Sequence, residues 1–260
     1  MGARTLPATI EAGHCLKDTT AIRATGVVVA LASEAKALTA RSAQPERVTP
    51  LAEGAALWLS GMGPAAAQHA ARGLADAGAK ALAVFGVAGA LDARLRNSTL
   101  FCPERIVDDS GDDYVTDSRW RAHLLQRLAT TTQSLCAQGS LLSVQAPLLT
   151  SFAKISAHRH YAALAVDMES AAVAAVARER GLPFACLRAI VDEVDDAVPI
   201  ALHDSVDAWG NPRPLRLIAA LCRRPSLLAD LPRLYSRMQR ATHALRAAAE
   251  ATGPTLGWSP

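Results

Sequence analysis

Short apolar runs alternate with alanine-rich stretches of helical periodicity along most of the chain. The runs are rich in valine, leucine and alanine and predict buried strands. They lie at residues 26–31, 55–59, 81–85, 99–107, 141–144, 164–166 and 184–191. Helices are predicted between them, from residue 35 and at 65–77, 120–128, 147–161 and 167–180. This alternation predicts a single α/β domain with a central mixed sheet flanked by helices.

The strongest local pattern spans residues 164–192. A strand at 164–166 leads directly into an alanine-rich helix, so Glu169 stands at a strand-to-helix turn. Gly181 and Pro183 end that helix, because a glycine caps it and a proline cannot continue it. The next apolar run ends on Asp192. Ligands of open α/β sheets bind where strands end in this way, so both carboxylates are expected in one crevice.

Two glycine-rich segments follow predicted strands, at 60–64 and 86–89. Glycines between a strand and a helix let backbone N–H groups approach an anion or a ribose hydroxyl. Neither segment has the third glycine of a dinucleotide site or the lysine of a P-loop. Glu34 follows the strand at 26–31, and two interpretations stay open: an acid favoured by the helix dipole, or a carboxylate in the crevice.

The pattern changes after Val198 and Pro199. A turn-rich hinge at 209–214 precedes two apolar-periodic segments, 215–221 and 227–248, which predict C-terminal amphipathic helices. Their arginines are Arg213, Arg216, Arg223, Arg224, Arg233, Arg237, Arg240 and Arg246. Such helices either pack on a domain with a solvated face or bind anionic membranes and amphiphilic ligands. The predicted division is a lead-in at 1–24, an α/β domain at 25–205 and a basic helical extension at 206–260.

Composition excludes several classes. Aromatic residues make up 4% of the 260 residues and the net charge is +3, too little to indicate nucleic-acid binding. Five scattered cysteines without a CxxC pair indicate neither disulfides nor zinc, and Cys186 is expected in the core. Residues 1–18 lack a signal-peptide core and no run is long enough to span a membrane, so a cytoplasmic protein is expected.

Four separated motifs resemble the purine/uridine phosphorylase superfamily, and especially its nucleosidase branch that cleaves methylthioadenosine and S-adenosylhomocysteine. The motifs are Val29-Ala-Leu-Ala-Ser-Glu34, Ser60-Gly-Met-Gly63, Gly86-Val-Ala-Gly-Ala-Leu91, and Val166-Asp-Met-Glu-Ser-Ala-Ala172 with Arg188-Ala-Ile-Val-Asp192. The arginine-rich C-terminus and the segment starting at Trp120 look more like one subgroup, the hopanoid-associated phosphorylases that act on adenosylhopane. The resemblance implies a nucleoside phosphorylase-like fold without cofactor or metal, acting on a small-molecule nucleoside, and a homo-oligomer.

The resemblance also implies residue roles. Asp192 matches the general acid that protonates N7 of the leaving purine, and burial would favour its protonated form. Glu169 matches the acceptor of ribose hydroxyls, with Met168 against the sugar, and Glu34 matches the carboxylate that activates water. Further substrate-binding positions carried over from the family are Gly63, Gly86, Ala88, Gly89, Leu148 and Phe152, with Phe152 a candidate for stacking on the base.

The nucleophile distinguishes the main alternatives. Phosphorylases of the superfamily hold phosphate with arginines and a serine, whereas this chain has Val87 in the second glycine segment and no arginine before Gly86. Lys36 and Gly61 are the candidate anion site, but a lysine lacks the bidentate geometry of arginine. Water is therefore favoured, and phosphate as co-substrate stays the alternative. An inactive nucleoside-binding module is a third hypothesis, disfavoured because Glu34 and Asp192 are both present.

Overall fold

The structure is a computed structural model that describes residues 22–197 and 199–260. Most of the predicted lead-in at 1–24 thus lies outside the described residues. The strands are β1 Thr25–Val29, β2 Val48–Pro50, β3 Ala56–Leu59, β4 Ala81–Ala90, β5 Leu100–Phe101, β6 Arg105–Asp108, β7 Asp113–Val115, β8 Leu135–Cys136, β9 Ser140–Ser143, β10 Ala165–Asp167 and β11 Phe184–Asp192. The α-helices are α1 Ala32–Leu38, α2 Pro64–Asp76, α3 Ser118–Leu128, α4 Ser151–Tyr161, α5 Ser170–Arg180, α6 Ile200–His203, α7 Pro214–Arg223 and α8 Leu227–Thr252.

The strands form one mixed sheet, and β4 is its centre. The order β2-β3-β1-β4-β10-β9-β6-β7 forms one path, while β11 pairs with the other edge of β4 and continues to β5 and β8. On the first edge, the beginning of β4 pairs in parallel with β1 and its end pairs antiparallel with β10. The sheet therefore opens where β1 gives way to β10, and this gap creates a crevice beside the second half of β4.

Helices cover both faces of the sheet, as the alternating pattern predicts. Alanines and leucines of α2 and α5 pack with one side of the sheet, and α8 packs on the other side with α1 and α3. Cys186 lies in the first of these clusters and is 1% exposed, so its expected core position is confirmed. The predicted fold class, an α/β domain with a central mixed sheet, is confirmed.

Two local predictions differ from the structure. The segment 86–89 is not a turn, because β4 continues through both glycines to Ala90. The strand predicted at 99–107 is two strands, β5 and β6, separated by a break that contains Pro103. In both cases pairing partners that are distant in the sequence decide where a strand ends.

The C-terminal helices differ from each other in burial. The second half of α8 contributes fully buried residues to the core, among them Ala241, Ala244 and Leu245. Helix α7 has no buried residue, although its sequence is strongly amphipathic. No helix in the described part of the chain has the length and apolarity needed to cross a membrane. The predicted domain boundary at residue 205 stays a prediction.

Candidate active site

A cavity of about 230 Å³ lies beside the second half of β4. Its walls come from the β1–α1 turn, β4, the β10–α5 turn, the end of β11 and the loop before α4. Of the predicted site residues, the ones that line the cavity are Glu34, Ala88, Gly89, Leu148, Met168, Glu169 and Asp192. The fold therefore brings together residues from five separated segments of the chain.

Glu34 is fixed by backbone donors at the start of α1. Its Oε2 accepts hydrogen bonds from the backbone N–H groups of Ala30 and Leu31, each at 2.9 Å, and its Oε1 accepts one from Val87 at 2.8 Å. The side chain is 1% exposed. Burial raises the pKa of Glu34 above its ordinary value, although the charge of Arg188 and the three N–H donors oppose this shift. Glu34 is thus an oriented carboxyl group that is protonated more readily than an exposed glutamate.

Two glycines of β4 make room for the carboxylates. A Cβ atom at Gly86 would lie 2.3 Å from Oε1 of Glu34 and 2.7 Å from Nη1 of Arg188. A Cβ atom at Gly89 would lie 3.0 Å from Oδ2 of Asp192. The reason for glycine at these positions is thus close approach of charged side chains, not a turn as the sequence pattern had suggested.

Arg188 of β11 forms the centre of the ionic network. It is 1% exposed and makes salt bridges with Asp167 and, at 3.5 Å, with Glu169. It also donates to Oγ of Ser170 at 3.2 Å. Burial by itself would lower the pKa of Arg188, but the neighbouring carboxylates, Asp167 first, raise it above its ordinary value. Arg188 therefore remains charged and compensates the negative charge of this wall.

Glu169 lies at the N-terminus of α5 and faces the cavity. Its Oε1 accepts a hydrogen bond of 2.9 Å from the backbone N–H of Gly63. Burial, followed by the charge of Asp167, raises the pKa of Glu169 to about 7, against the opposing charge of Arg188. Gly63 does not itself line the cavity; it positions Glu169 from behind, as Gly86 accommodates Glu34.

Asp192 has an unexpected neighbour. Its Oδ2 forms a salt bridge with Nζ of Lys154, a residue of α4 that is 1% exposed. Burial is therefore not the only influence on this carboxyl group, because the ammonium group of Lys154 is its direct partner.

Sequence reasoning missed Arg188 and Lys154 as site residues. A signal existed for Arg188: a charged residue inside an apolar strand must be paired when the strand is buried. For Lys154 the sequence gave no comparable signal, because its helix has polar residues on several sides.

Besides Gly63 and Gly86, three further predicted residues are not in the cavity wall. Phe152 is 82% exposed, so it does not stack on a base within its own subunit. Lys36 is exposed on the outer side of α1, where it shares a different surface cleft with Arg246. Gly61 packs near Ala208 and Trp209 instead of the cavity. The proposed anion site of Lys36 and Gly61 is therefore not assembled within this chain.

A metal-binding cluster of three or more His, Cys, Asp or Glu residues does not occur among residues 22–197 and 199–260. The carboxylates of the cavity instead have backbone N–H groups, Arg188 and Lys154 as partners. The cavity thus presents several partnered carboxyl groups, among them Glu34, Glu169 and Asp192, to whatever binds there.

Comparisons with known proteins agree with this architecture. Similar solved structures include futalosine hydrolase of Helicobacter pylori strain 26695, with a TM-score of 0.62 and 17% identity over 88% of this chain and 98% of that chain. The 5'-methylthioadenosine/S-adenosylhomocysteine nucleosidase from Neisseria meningitidis, solved with methylthio-immucillin-A, has a TM-score of 0.64 and 18% identity over 88% and 98% of the two chains. At these identities the likeness concerns the fold. A comparison with curated proteins gave no match.

The family itself is identified by sequence. The model of the phosphorylase superfamily matches residues 24–223, which is more than half of the chain and includes every residue that lines the cavity. The chain therefore belongs to the phosphorylase superfamily.

Proposed function

We propose that the protein is a nucleosidase that hydrolyses the N-glycosidic bond of an adenine nucleoside. The observation that carries the proposal is the charge of the cavity wall. Among the described residues that line it, Glu34, Asp167, Glu169 and Asp192 are acidic, and none is lysine or arginine. A phosphate dianion would meet carboxylates without a cationic donor, whereas a water molecule carries no charge and hydrogen-bonds well to carboxylates.

The proposed reaction assigns one proton transfer to each wall. The bond between C1′ of the ribose and N9 of the purine breaks, and its electron pair stays with the purine. Asp192 gives a proton to N7, while Glu34 takes a proton from the water that adds to C1′. General acid–base catalysis of this kind contributes about 10²–10⁴-fold each. Glu169 binds the ribose hydroxyls and Met168 packs against the sugar.

Two observations support hydrolysis over the alternatives. Lys36, the cation proposed for a phosphate site, lies outside the cavity. Solved structures of similar fold include a futalosine hydrolase and a methylthioadenosine/S-adenosylhomocysteine nucleosidase. An inactive binding module is disfavoured because both proposed catalytic carboxyls line one cavity.

The test is adenine release from methylthioadenosine, with and without phosphate. We expect release without phosphate, free ribose derivative as product, and a loss of about 10²–10⁴-fold in kcat for Glu34→Gln. Lys36→Met is the matched control and should leave the rate unchanged. Strict phosphate dependence with a ribose 1-phosphate product would contradict hydrolysis, and an intact nucleoside that binds without turnover would indicate the inactive module.

For the substrate, we propose an amphiphilic adenine nucleoside such as adenosylhopane, taken from an anionic membrane surface. The segment 205–211 precedes α7 in the chain and contacts the cavity wall. Its Ala208 carbonyl accepts a hydrogen bond of 2.8 Å from the N–H of Met62, a residue of the cavity wall. On α7, Leu215 is 84% exposed and Ile218 is 57% exposed, and their helical spacing places them on one face. Exposed arginines of this region are Arg213, Arg216, Arg223 and Arg224.

An exposed apolar face with neighbouring arginines suits a membrane that carries negative charge. We therefore expect co-sedimentation with vesicles containing anionic phosphatidylglycerol, less binding to neutral phosphatidylcholine, and loss of binding in Leu215→Ser/Ile218→Ser. The same variant should process methylthioadenosine normally and adenosylhopane in vesicles more slowly. Unchanged kinetics on adenosylhopane would remove membrane docking from the proposal.

The resemblance also implies a homo-oligomer, and we propose that a second copy covers the exposed face of α4. Phe152 and Ile155 are 82% and 37% exposed there, close in sequence to Leu148 of the cavity wall. Light scattering should detect an oligomer that Phe152→Ser weakens. A wild-type monomer at micromolar concentration would contradict this assignment.

A further inference from the structure

Lys154 of α4 is a buried lysine. It is 1% exposed, whereas the other lysines of the described residues, Lys36 and Lys80, are exposed. Burial of an ammonium group is unfavourable unless the group is paired and hydrogen-bonded. The environment of Lys154 must therefore provide partners that compensate its charge.

The ammonium group of Lys154 has a partner for each of its three N–H donors. One donor reaches Oδ2 of Asp192, a second reaches the carbonyl of Glu193 at 2.8 Å, and the third reaches the carbonyl of Asp196 at 3.0 Å. A charged lysine has three donors and no acceptor, so its hydrogen-bonding capacity is filled. Lys154 thus connects the carboxyl group of Asp192 to the loop that follows it.

The two oxygens of Asp192 differ in their partners. Oδ2 accepts from Lys154, while no hydrogen bond to Oδ1 is found within the described part of the chain. Asp192 lines the cavity and Lys154 does not. Lys154 can therefore act on a substrate only through Asp192.

Other charged groups near this pair have partners of their own. Glu193 accepts from Nη1 of Arg96 at 2.8 Å, and Asp196 is paired with Arg237 of α8. Two further groups near Lys154 and Asp192 are also paired: Arg233 with Asp196, and His158 with Asp92. The other carboxyl groups of the cavity, Glu34, Glu169 and Asp167, interact with Arg188. Lys154 is the cation in contact with Asp192, so it dominates the local electrostatics of that carboxyl group.

We propose that Lys154 is a positioning residue that orients Asp192 and sets the pH range over which Asp192 can act as an acid. The proposal rests on the nucleosidase function proposed above. Lys154 occupies Oδ2 and leaves Oδ1 available to the purine. Asp192 takes up a proton from solvent, gives it to N7 as the glycosidic bond breaks, and returns to the carboxylate whose charge Lys154 compensates. Removal of the ammonium charge leaves a largely buried carboxyl group that keeps its proton to higher pH.

The first experiment measures the pair without any substrate. Thermal unfolding of Lys154→Met, Asp192→Asn and the double variant forms a double-mutant cycle. Lys154→Met should lower Tm, and the double variant should lose less than the sum of the two single losses, because no unpaired buried charge remains. Lys80→Met is the control for an exposed lysine. Additive losses would overturn the proposed pairing, whether or not the enzyme cleaves nucleosides.

The second experiment is the pH profile of kcat/KM for adenine release. In Lys154→Met, activity should persist to a pH about one unit or more higher on the alkaline side, with a lower maximal kcat. Lys154→Arg keeps the charge and should retain the wild-type profile. If Lys154→Met lowers kcat/KM by the same factor at every pH, Lys154 has only a structural role and the proposal is wrong. Wild-type protein that releases no adenine would instead contradict the proposed function, and the unfolding cycle would still decide the pairing.

Discussion

The cavity and helix α7 both carry charged and apolar side chains, but these side chains are buried and paired in the cavity and exposed on α7. In the cavity, each carboxyl group is largely buried and has named donors, such as Arg188 for Glu169 and Lys154 for Asp192. On α7 the arginines are exposed and no residue of the helix is buried. Charge in a buried, low-dielectric site interacts strongly with its partners, whereas exposed charge is screened by water and salt. Substitutions in the two regions should therefore differ in kind as well as in size.

The largest effect is expected for Arg188→Met. This change leaves Asp167 and Glu169 buried without their counter-charge, and loss of one partner from a buried ion pair destabilises a protein by about 3–5 kcal/mol. Chemical denaturation measures the free energy of unfolding. Arg72→Met, which removes an exposed pair with Glu179, is the control and should lose no more than about 1 kcal/mol. Equal losses of stability in the two variants would contradict the larger contribution expected of the buried ion pairs.

A smaller loss is expected for Gly86→Ala. The added Cβ atom would lie 2.3 Å from Oε1 of Glu34, so either the carboxylate or β4 must shift. Overpacking of this kind typically destabilises by about 1–3 kcal/mol, and displacement of Glu34 should also lower kcat. Combining Gly86→Ala with Glu34→Ala removes the overlapping atoms and should restore part of the lost stability. A fully active, fully stable Gly86→Ala enzyme would contradict the close approach.

The pH dependence of stability should reveal the raised pKa of Glu169. Its pKa of about 7 in the folded state exceeds the ordinary glutamate value of 4.5, so the folded protein binds more protons between these values. The free energy of unfolding should therefore fall as pH rises from about 4.5 to 7. Glu169→Gln should reduce this slope. The slope that remains should come from Glu34, whose pKa is also raised by burial. Glu179→Gln, at an exposed position, should leave the slope as in the wild type.

The smallest effect on stability is expected for Leu215→Ser on α7. Leu215 is 84% exposed, so its replacement should change the free energy of unfolding by no more than about 0.5 kcal/mol. A thermal or denaturant melt measures this change. A loss of several kcal/mol would show that α7 is packed against another part of the protein, and the contrast with the cavity would then disappear.

Much of the fold could be predicted from local signals. The helix that follows Glu169 ends at Gly181, which has φ 63°, as a glycine followed by proline predicts. The apolar run that ends on Asp192 forms a strand of the sheet, and Glu34, Glu169 and Asp192 line one cavity. Strand and helix periodicities, and the positions of acids after strands, are properties of short segments, so a single sequence carries them.

Only the tertiary structure decided the partners of those acids. Phe152 and Lys36 lie near the site in sequence yet point away from the cavity, whereas Lys154 and Arg188 contact the carboxylates without a sequence motif that assigns them this role. The physical reason is that β4 continues through Gly86 and Gly89, which places side chains of β11 and α4 against carboxylates that are 21 and 38 residues away in the chain. Charge compensation in a buried site depends on distances across the fold, and these are set by sheet pairing and not by local periodicity.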